Sequence, residues 1–447
     1  MPSKKLWLRT SGLRRLATAV LTLSCIAAAQ QPAQKVDAYE ADRARMMLHQ
    51  IYANLQHNYY DPTFHGVDLA GNMARTEKLL TNVHNPDEAY FLLATFVSTL
   101  NDSHTTFIPP DRIDKMDRGF AMDVIGEAVF VTDTRPGSDA STKLHPGDRI
   151  VSINGISARR KSYDLLTYTF DTLIHTPELK IEVADTNGKH RTEVVKAQFK
   201  QGVAFRNFDD AGGVNNWKDR IDAQNYAHWQ RHQYIVYDNA VLWHMPSFET
   251  SDDVINTVFA KAHKAGTLVI DLRGNGGGDV EILKTMVQHL FDHPVEMYTE
   301  VGRKSTKKRF SPTGHFGRYD GKLIVLIDAQ SASASEAFAR IIQLEHRGTV
   351  IGDRSAGELM ESKYFEGKVG DSIFVSFGTH ITVDNIIMSD GHSIENAGVF
   401  PDELALPSAA DIADGKDPVL AKALTEAGVK IDPAQAGKLI AFEWPPF

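Results

Sequence analysis

The chain has 447 residues, 42% of them apolar and 23% charged, and carries a net charge of −9. This is the composition of a globular protein long enough for several cores, and its negative balance argues against a general nucleic-acid binder. At the N-terminus a basic run of Lys4, Lys5, Arg9, Arg14 and Arg15 precedes the apolar stretch Leu16 to Ala29. That stretch is short for a membrane span, and Ala27-Ala28-Ala29 offers a small-residue cleavage site. Residues 1–29 therefore read as an export signal, with Gln30 the first mature residue. The expected location is periplasmic or extracellular, with no stable membrane insertion after cleavage. Cys25, the only cysteine, lies inside this signal, and a lipid anchor on it is disfavoured because Thr22 stands where such signals carry leucine. Cleavage leaves no disulfide, thiol nucleophile or zinc thiolate.

Gln30 to Val36 is a polar tether. From Ala38 to about Leu100 the apolar spacing is helical, as in Met46-Met47-Ile51-Leu55 and Tyr90-Leu93-Phe96-Leu100. Residues 30–112 are expected to form a helical domain that ends in Leu100-Asn101-Asp102-Ser103-His104. Residues 113–200 change to short strands and turns. There Pro136-Gly137-Ser138 and the run His145-Pro146-Gly147-Asp148-Arg149-Ile150, closed by Asn154-Gly155, resemble the core of a PDZ domain. The resemblance places Gly119 and Phe120 in a carboxylate-binding loop and Tyr163 to Leu173 in the helix of a peptide groove. A spacer domain with a blocked groove is the alternative.

Residues 202–237 are polar and aromatic and give no reading. Beyond Ala240, strands and helices alternate: Val241-Leu242-Trp243, a helix over 252–265, the Thr267 strand, a helix over 280–291, the Leu323 strand and a helix over 334–347. This predicts an α/β core, residues 201–407, with a largely parallel sheet whose sites lie at the strands' carboxyl ends. Residues 408–447 form a tail with one amphipathic helix, 418–427. The basic cluster from Arg303 to Arg309 reads as a solvated loop or hairpin, or as an anchor for an acidic substrate group.

Two strand-to-turn stretches carry the chemistry. Thr267 to Gly278 (TLVIDLRGNGGG) ends in a glycine turn that fits neither a dinucleotide fingerprint nor a phosphate loop. It can expose N–H groups to an oxyanion beside the N-terminus of the following helix, or be an unliganded left-handed turn. Leu323 to Ile342 breaks at Ser331-Ala332-Ser333-Ala334-Ser335-Glu336. Ser333 and Glu336 fit a helix capping box, which does not exclude a nucleophile on the same turn. No paired His/carboxylate spacing suggests a metal.

Taken in order, the helical segment, the PDZ-like module, DLRGNGGG and SASASE resemble the tail-specific (carboxy-terminal processing) serine peptidase family. The likeness runs from about Asn101 to Leu404, apart from 202–237. It implies a multidomain α/β protein with a ClpP/crotonase-like core and no cofactor. It also implies Ser333 as nucleophile and an oxyanion hole from the N–H groups of Ala334 and of Gly277, with Gly278 beside it. Bacterial members use a lysine in G-x-x-x-x-G-K, but Gly352 to Glu358 puts a glutamate there, and Lys363 is out of register. The branch similar to the tricorn core instead implies His104 as general base, oriented by Glu395 through Ser103, with Glu395 preceding Gly398-Val399-Phe400-Pro401-Asp402. Asp102 and Glu358 are the carboxylates that can replace Glu395 in this scheme. The resemblance implies polypeptide substrates bound or gated through their C-termini, and leaves the oligomeric state open. A non-catalytic peptide- or hydrophobic-ligand-binding protein, or a small-substrate esterase or amidase, are the alternatives. The apolar end of Trp444-Pro445-Pro446-Phe447 is a candidate to enter the PDZ-like groove, although its prolines lack the N–H groups that strand addition uses.

Overall fold

Three helices, Ala38–Asn58, Leu69–Leu80 and Pro86–Ser98, open the computed structural model, which describes residues 38–110, 114–201, 232–312, 318–370, 374–440, 442–444 and 447. The export-signal reading, Cys25, the tether and residues 202–231 lie outside the described residues. Two of the helices start at side-chain caps: Asp68 accepts from Gly71 N–H, and Asn85 accepts from Glu88 N–H with Pro86 in the first turn. Their buried stripe, including Met47, Leu48, Ile51, Leu55, Phe91 and Phe96, does not close on itself. It packs in one cluster with Phe107, Phe377 and Ile381, the last two on a strand of the C-terminal core. The helical segment and that core therefore share a hydrophobic interior.

The central module is an antiparallel six-stranded sheet of Phe120–Ile125, Ala128–Thr134, Arg149–Ile153, Ile156–Ser157, Glu178–Ala184 and His190–Lys196. Helix Arg160–Thr167 runs on into a π-helical turn, Tyr168–Leu173. A ribbon of Asp114–Asp117 with Gln198–Gln201 ties the two ends of the module together.

The core holds a six-stranded sheet in which Ala240–His244, Thr267–Asp271, Lys322–Ile327, Thr349–Gly352 and Glu403–Leu404 pair in parallel. Gln233–Tyr237 pairs antiparallel at one edge. Every residue of Thr267–Asp271 is buried, which is why this strand is a continuous apolar run rather than an alternating one. Helices Asp252–Ala265, Val280–Leu290 and Ala334–Leu344 contribute to one core cluster, and Pro418–Glu426 contributes to another with different residues of the same sheet. Among the described residues no helix is long and apolar enough to cross a membrane.

A second sheet goes beyond what the βα alternation predicted. It is antiparallel and joins Thr106–Ile108, Val295–Gly302, Thr306–Ser311, Met360–Val369 and Val375–Met388. The Arg303–Arg309 cluster lies at its hairpin end, where Lys308 pairs with Glu296 at 2.8 Å and Arg309 with Glu300 at 2.5 Å. Thr106–Ile108 follows directly on the turn that carries Ser103 and His104. Its register, Thr106 opposite His380, fastens the turn carrying Ser103 and His104 to the core.

Candidate active site

Ser333 sits where strand Lys322–Ile327 turns into helix Ala334–Leu344, with φ 55° and ψ −118°. A left-handed φ on a non-glycine residue is strained, and a sharp strand-to-helix turn of this kind projects a serine hydroxyl from the sheet edge. The turn is held by several contacts. Ser333 N–H donates to Glu358 O at 2.8 Å and to Glu336 Oε2 at 3.2 Å. Ala332 N–H donates to Asn275 O at 3.0 Å, and the Ser335 hydroxyl donates to the same oxygen at 2.9 Å.

Glu336 does more than the capping box suggests. Besides Ser333 N–H, its fully buried carboxylate accepts from the Ser355 hydroxyl at 2.6 Å, Gly357 N–H at 2.7 Å and Glu358 N–H at 2.8 Å. Burial pushes its pKa up to about 7, and the four donated bonds work in the opposite direction. One side chain thus binds the 355–358 loop to the serine turn.

The glycine turn lies directly against Ser333. A Cβ on Gly277 (φ 101°) would stand 2.6 Å from Ser333 Cβ, and one on Gly278 (φ 136°) 2.9 Å from the Phe248 backbone. Only glycine permits this approach. The expectation for Gly277 as an oxyanion donor needs correction, because its N–H donates to Asn275 Oδ1 at 2.9 Å. Asn275 is itself fully buried and its amide donates to Met245 O at 2.7 Å. Among the described residues, the N–H groups of Gly278 and Ala334 have no hydrogen-bond partner.

The second half of the site comes from the end of the helical segment. Ser103 Oγ lies 2.7 Å from His104 Nδ1 and donates to Glu395 Oε2 at 3.0 Å, while Ser103 N–H donates to Glu395 Oε1 at 2.9 Å. A hydroxyl has one proton. If Ser103 gives it to Glu395, the imidazole must donate from Nδ1, and Nε2 keeps its lone pair. Burial lowers the His104 pKa below the ordinary 6.5, opposed by the nearby Asp102 charge and aided by His380. Burial raises the Glu395 pKa, offset by the bonds from Ser103 and from Leu359 N–H, the last at 2.9 Å.

Asp102 has a different task from Glu395. Its carboxylate accepts from the N–H groups of His104 (3.0 Å) and Thr105 (2.7 Å) and from the hydroxyls of Thr382 (2.6 Å) and Tyr59 (2.7 Å). It holds the turn's backbone and does not bond the imidazole. Sequence reasoning noted Asp102 only as a substitute for Glu395.

One peptide unit connects the two halves. The Glu358 carbonyl receives the Ser333 N–H, and the N–H of the next residue, Leu359, points at Glu395. Among the described residues no hydrogen bond joins Ser333 to His104. The Glu358 side chain, at the position of the lysine in the G-x-x-x-x-G-K pattern, is half-buried, and burial together with Asp164, Glu336 and Glu395 pushes its pKa up to about 8. Lys363 pairs with Ile381 within the antiparallel sheet.

In the central module, Phe120 opens the edge strand, opposite Thr134. Gly119 N–H is not free for a ligand carboxylate, because Asp117 Oδ1 accepts it at 2.8 Å. This corrects the carboxylate-loop expectation for the conformation seen here. The module also touches the serine turn. Ala329 packs on its core, Gln330 donates to Tyr163 OH at 3.3 Å, and Tyr163 OH donates to Met122 O at 2.7 Å. Arg160 Nη2 pairs with Asp353 at 2.6 Å.

Residues 240–405 match peptidase family S41, and residues 114–164 match the PDZ domain. A tail-specific protease from Haemophilus influenzae is 25% identical over 295 residues, covering 62% of this chain but 40% of that protein. A carboxyl-terminal-processing protease from Synechocystis is 22% identical over 388 residues, covering 83% of this chain and 84% of that one. The chain thus spans well under half the length of the first relative and most of the second. The solved structure of mature CPAF in complex with lactacystin superposes with a TM-score of 0.61 over 84% of this chain and 96% of that one, at 15% identity, which is a likeness of fold.

Proposed function

We propose, from the match of residues 240–405 to peptidase family S41 and of residues 114–164 to the PDZ domain, that the chain is an exported serine endopeptidase that hydrolyses peptide bonds of polypeptide substrates. Ser333 attacks the scissile carbonyl, and His104 takes its proton at Nε2 and returns it to the leaving amine. Ser103 and Glu395 are positioning residues that fix the Nδ1–H tautomer and stabilise the imidazolium once it forms. The N–H groups of Ala334 and Gly278 face the developing oxyanion, aided by the dipole of helix Ala334–Leu344. The observation that carries this reading is the continuous chain His104–Ser103–Glu395–Leu359, whose last peptide unit also holds the Ser333 backbone. Closing the gap between Ser333 and His104 is then a task of substrate binding, since catalytic hydrogen bonds often tighten only in the Michaelis complex.

The reading includes export through residues 1–29 and a PDZ domain that binds or gates substrate C-termini. Hydrolysis of a casein substrate by Ser333→Ala, His104→Ala and Lys363→Ala tests it. The first two lose activity by about ten-thousand-fold, while Lys363→Ala stays near wild type. Loss in Lys363→Ala equal to that in Ser333→Ala overturns the histidine mechanism. If all three retain wild-type hydrolysis, Ser333 and His104 are not the catalytic pair.

A further inference from the structure

The face of the PDZ domain around Gly119 is already engaged, first by an internal carboxylate and then by an aromatic segment from the far end of the chain. Asp117 accepts the Gly119 N–H through Oδ1, and its Oδ2 lies 2.5 Å from Arg135 Nε. Arg135 N–H donates to Gly119 O at 2.9 Å, so its backbone and side chain both close this loop. The Arg135 guanidinium lies 4.7 Å from the centroid of the Trp444 ring, within the range of a cation–π contact. Trp444 is half-buried and meets Phe442 edge-on at 5.1 Å. Nearby, Lys200 on the ribbon that leads into the loop donates to Phe447 O at 3.4 Å. Leu439 and Ile440, just before this segment, pack on the core cluster beneath the parallel sheet. The tail is thereby anchored on the core and reaches across to the PDZ domain.

We propose that the aromatic segment around Trp444 is a tethered ligand of the Asp117–Gly119–Arg135 face, and that incoming polypeptide C-termini compete with it there. The chemistry fits both occupants. A chain-terminal carboxylate can replace Asp117 at the Gly119 N–H and Arg135, and an aromatic side chain beside it can take the place of Trp444. Tethering raises the local concentration of the segment to the order of millimolar, so it excludes weak ligands without tight intrinsic binding. The proposal builds on a peptide-handling PDZ domain but not on the nucleophile. A binding measurement in the Ser333→Ala background therefore separates its failure from failure of the peptidase reading.

The probe is a fluorescein-labelled peptide with the sequence of residues 438–447, followed by anisotropy against the full chain. Trp444→Ala removes an aromatic side chain outside the cores, and this variant should bind the probe at least about tenfold more tightly than the unaltered tail does. In that variant Arg135→Lys keeps a charge for Asp117 but loses the planar guanidinium, and should weaken the probe several-fold. A probe carrying alanine in place of its tryptophan should lose most of its affinity. Equal binding to chains with and without Trp444, no binding to either, or binding indifferent to Arg135→Lys would each overturn the proposal.

Discussion

The serine turn and the histidine turn reach the same site by opposite routes. Ser333 is fixed by its own neighbourhood: a buried parallel strand, an abrupt left-handed residue and a helix whose third residue, Glu336, gathers four donors. His104 stands on a turn borrowed from the helical segment, held by Asp102, by a three-residue strand and by Glu395, which lies 292 residues beyond Ser103. The proposed nucleophile is thus built into the core, whereas the proposed base depends on the shared hydrophobic interior that brings helices and core together. Removing the contacts that hold the first turn, above all those of Glu336, should act on fold and chemistry at once. Damage to the second should remove chemistry and leave the core standing.

The largest expected effect is that of Ser333→Ala or His104→Ala, about ten-thousand-fold in kcat/KM, with thermal melting close to wild type. The double variant should lose no more than either single change, because the pair acts as a unit; additive losses would separate the two turns. Glu336→Ala comes next and breaks the symmetry. It strands four buried or half-buried donors and should cost on the order of 3 kcal/mol of stability together with activity. Glu395→Gln should lower turnover by about a hundredfold or more while denaturant midpoints move little. A large loss of stability there would show that the histidine turn is as structural as the serine turn.

Smaller effects read the charges. Since burial lowers the His104 pKa, the acid limb of kcat/KM should lie below the ordinary histidine value of about 6.5. Asp102 opposes that lowering, so Asp102→Asn should move the limb further toward acid. An upward move would mean that Asp102 acts through something other than its charge. At the contact between PDZ domain and core, burial and the Asp328 charge raise Asp123 to about 8, and burial with three carboxylates raises Glu358 similarly. Both keep their proton in the folded protein where the unfolded chain has lost it. The stability they permit is therefore greatest in acid and declines as pH rises from about 4 to about 8. Asp123→Asn should flatten the melting temperature across that window, and an unchanged slope would remove Asp123 from the account.

The same contrast explains what could be read in the sequence. The serine turn was legible because its determinants are contiguous: an apolar strand, small hydroxyl residues, then a helical pattern. The helical spacing of 38–100 and the parallel strands at Val241, Thr267 and Leu323 were legible for the same reason, whereas the short parallel strands Thr349–Gly352 and Glu403–Leu404 were not. The histidine turn offered no local signal and surfaced only through the family resemblance of the Ser103-His104 and Glu395 motifs. Glu336 showed as a capping residue, but three of its partners arrive from 355–358, which periodicity cannot foresee. Asn275 taking the Gly277 N–H and Asp117 taking that of Gly119 are side-chain choices inside loops, where composition is mute. The antiparallel sheet was missed because its strands are scattered from Thr106 to Met388 and lie outside the strand–helix alternation that marks the parallel sheet.

The central claim is that His104 activates Ser333, and the rate of fluorophosphonate labelling at Ser333 tests it most directly, since it needs no knowledge of the substrate. The wild-type chain should be labelled at Ser333 alone, with an acid limb matching a histidine of lowered pKa, and His104→Ala should abolish labelling while Lys363→Ala leaves it intact. Labelling of His104→Ala at the wild-type rate, or modification at a residue other than Ser333, would contradict the account.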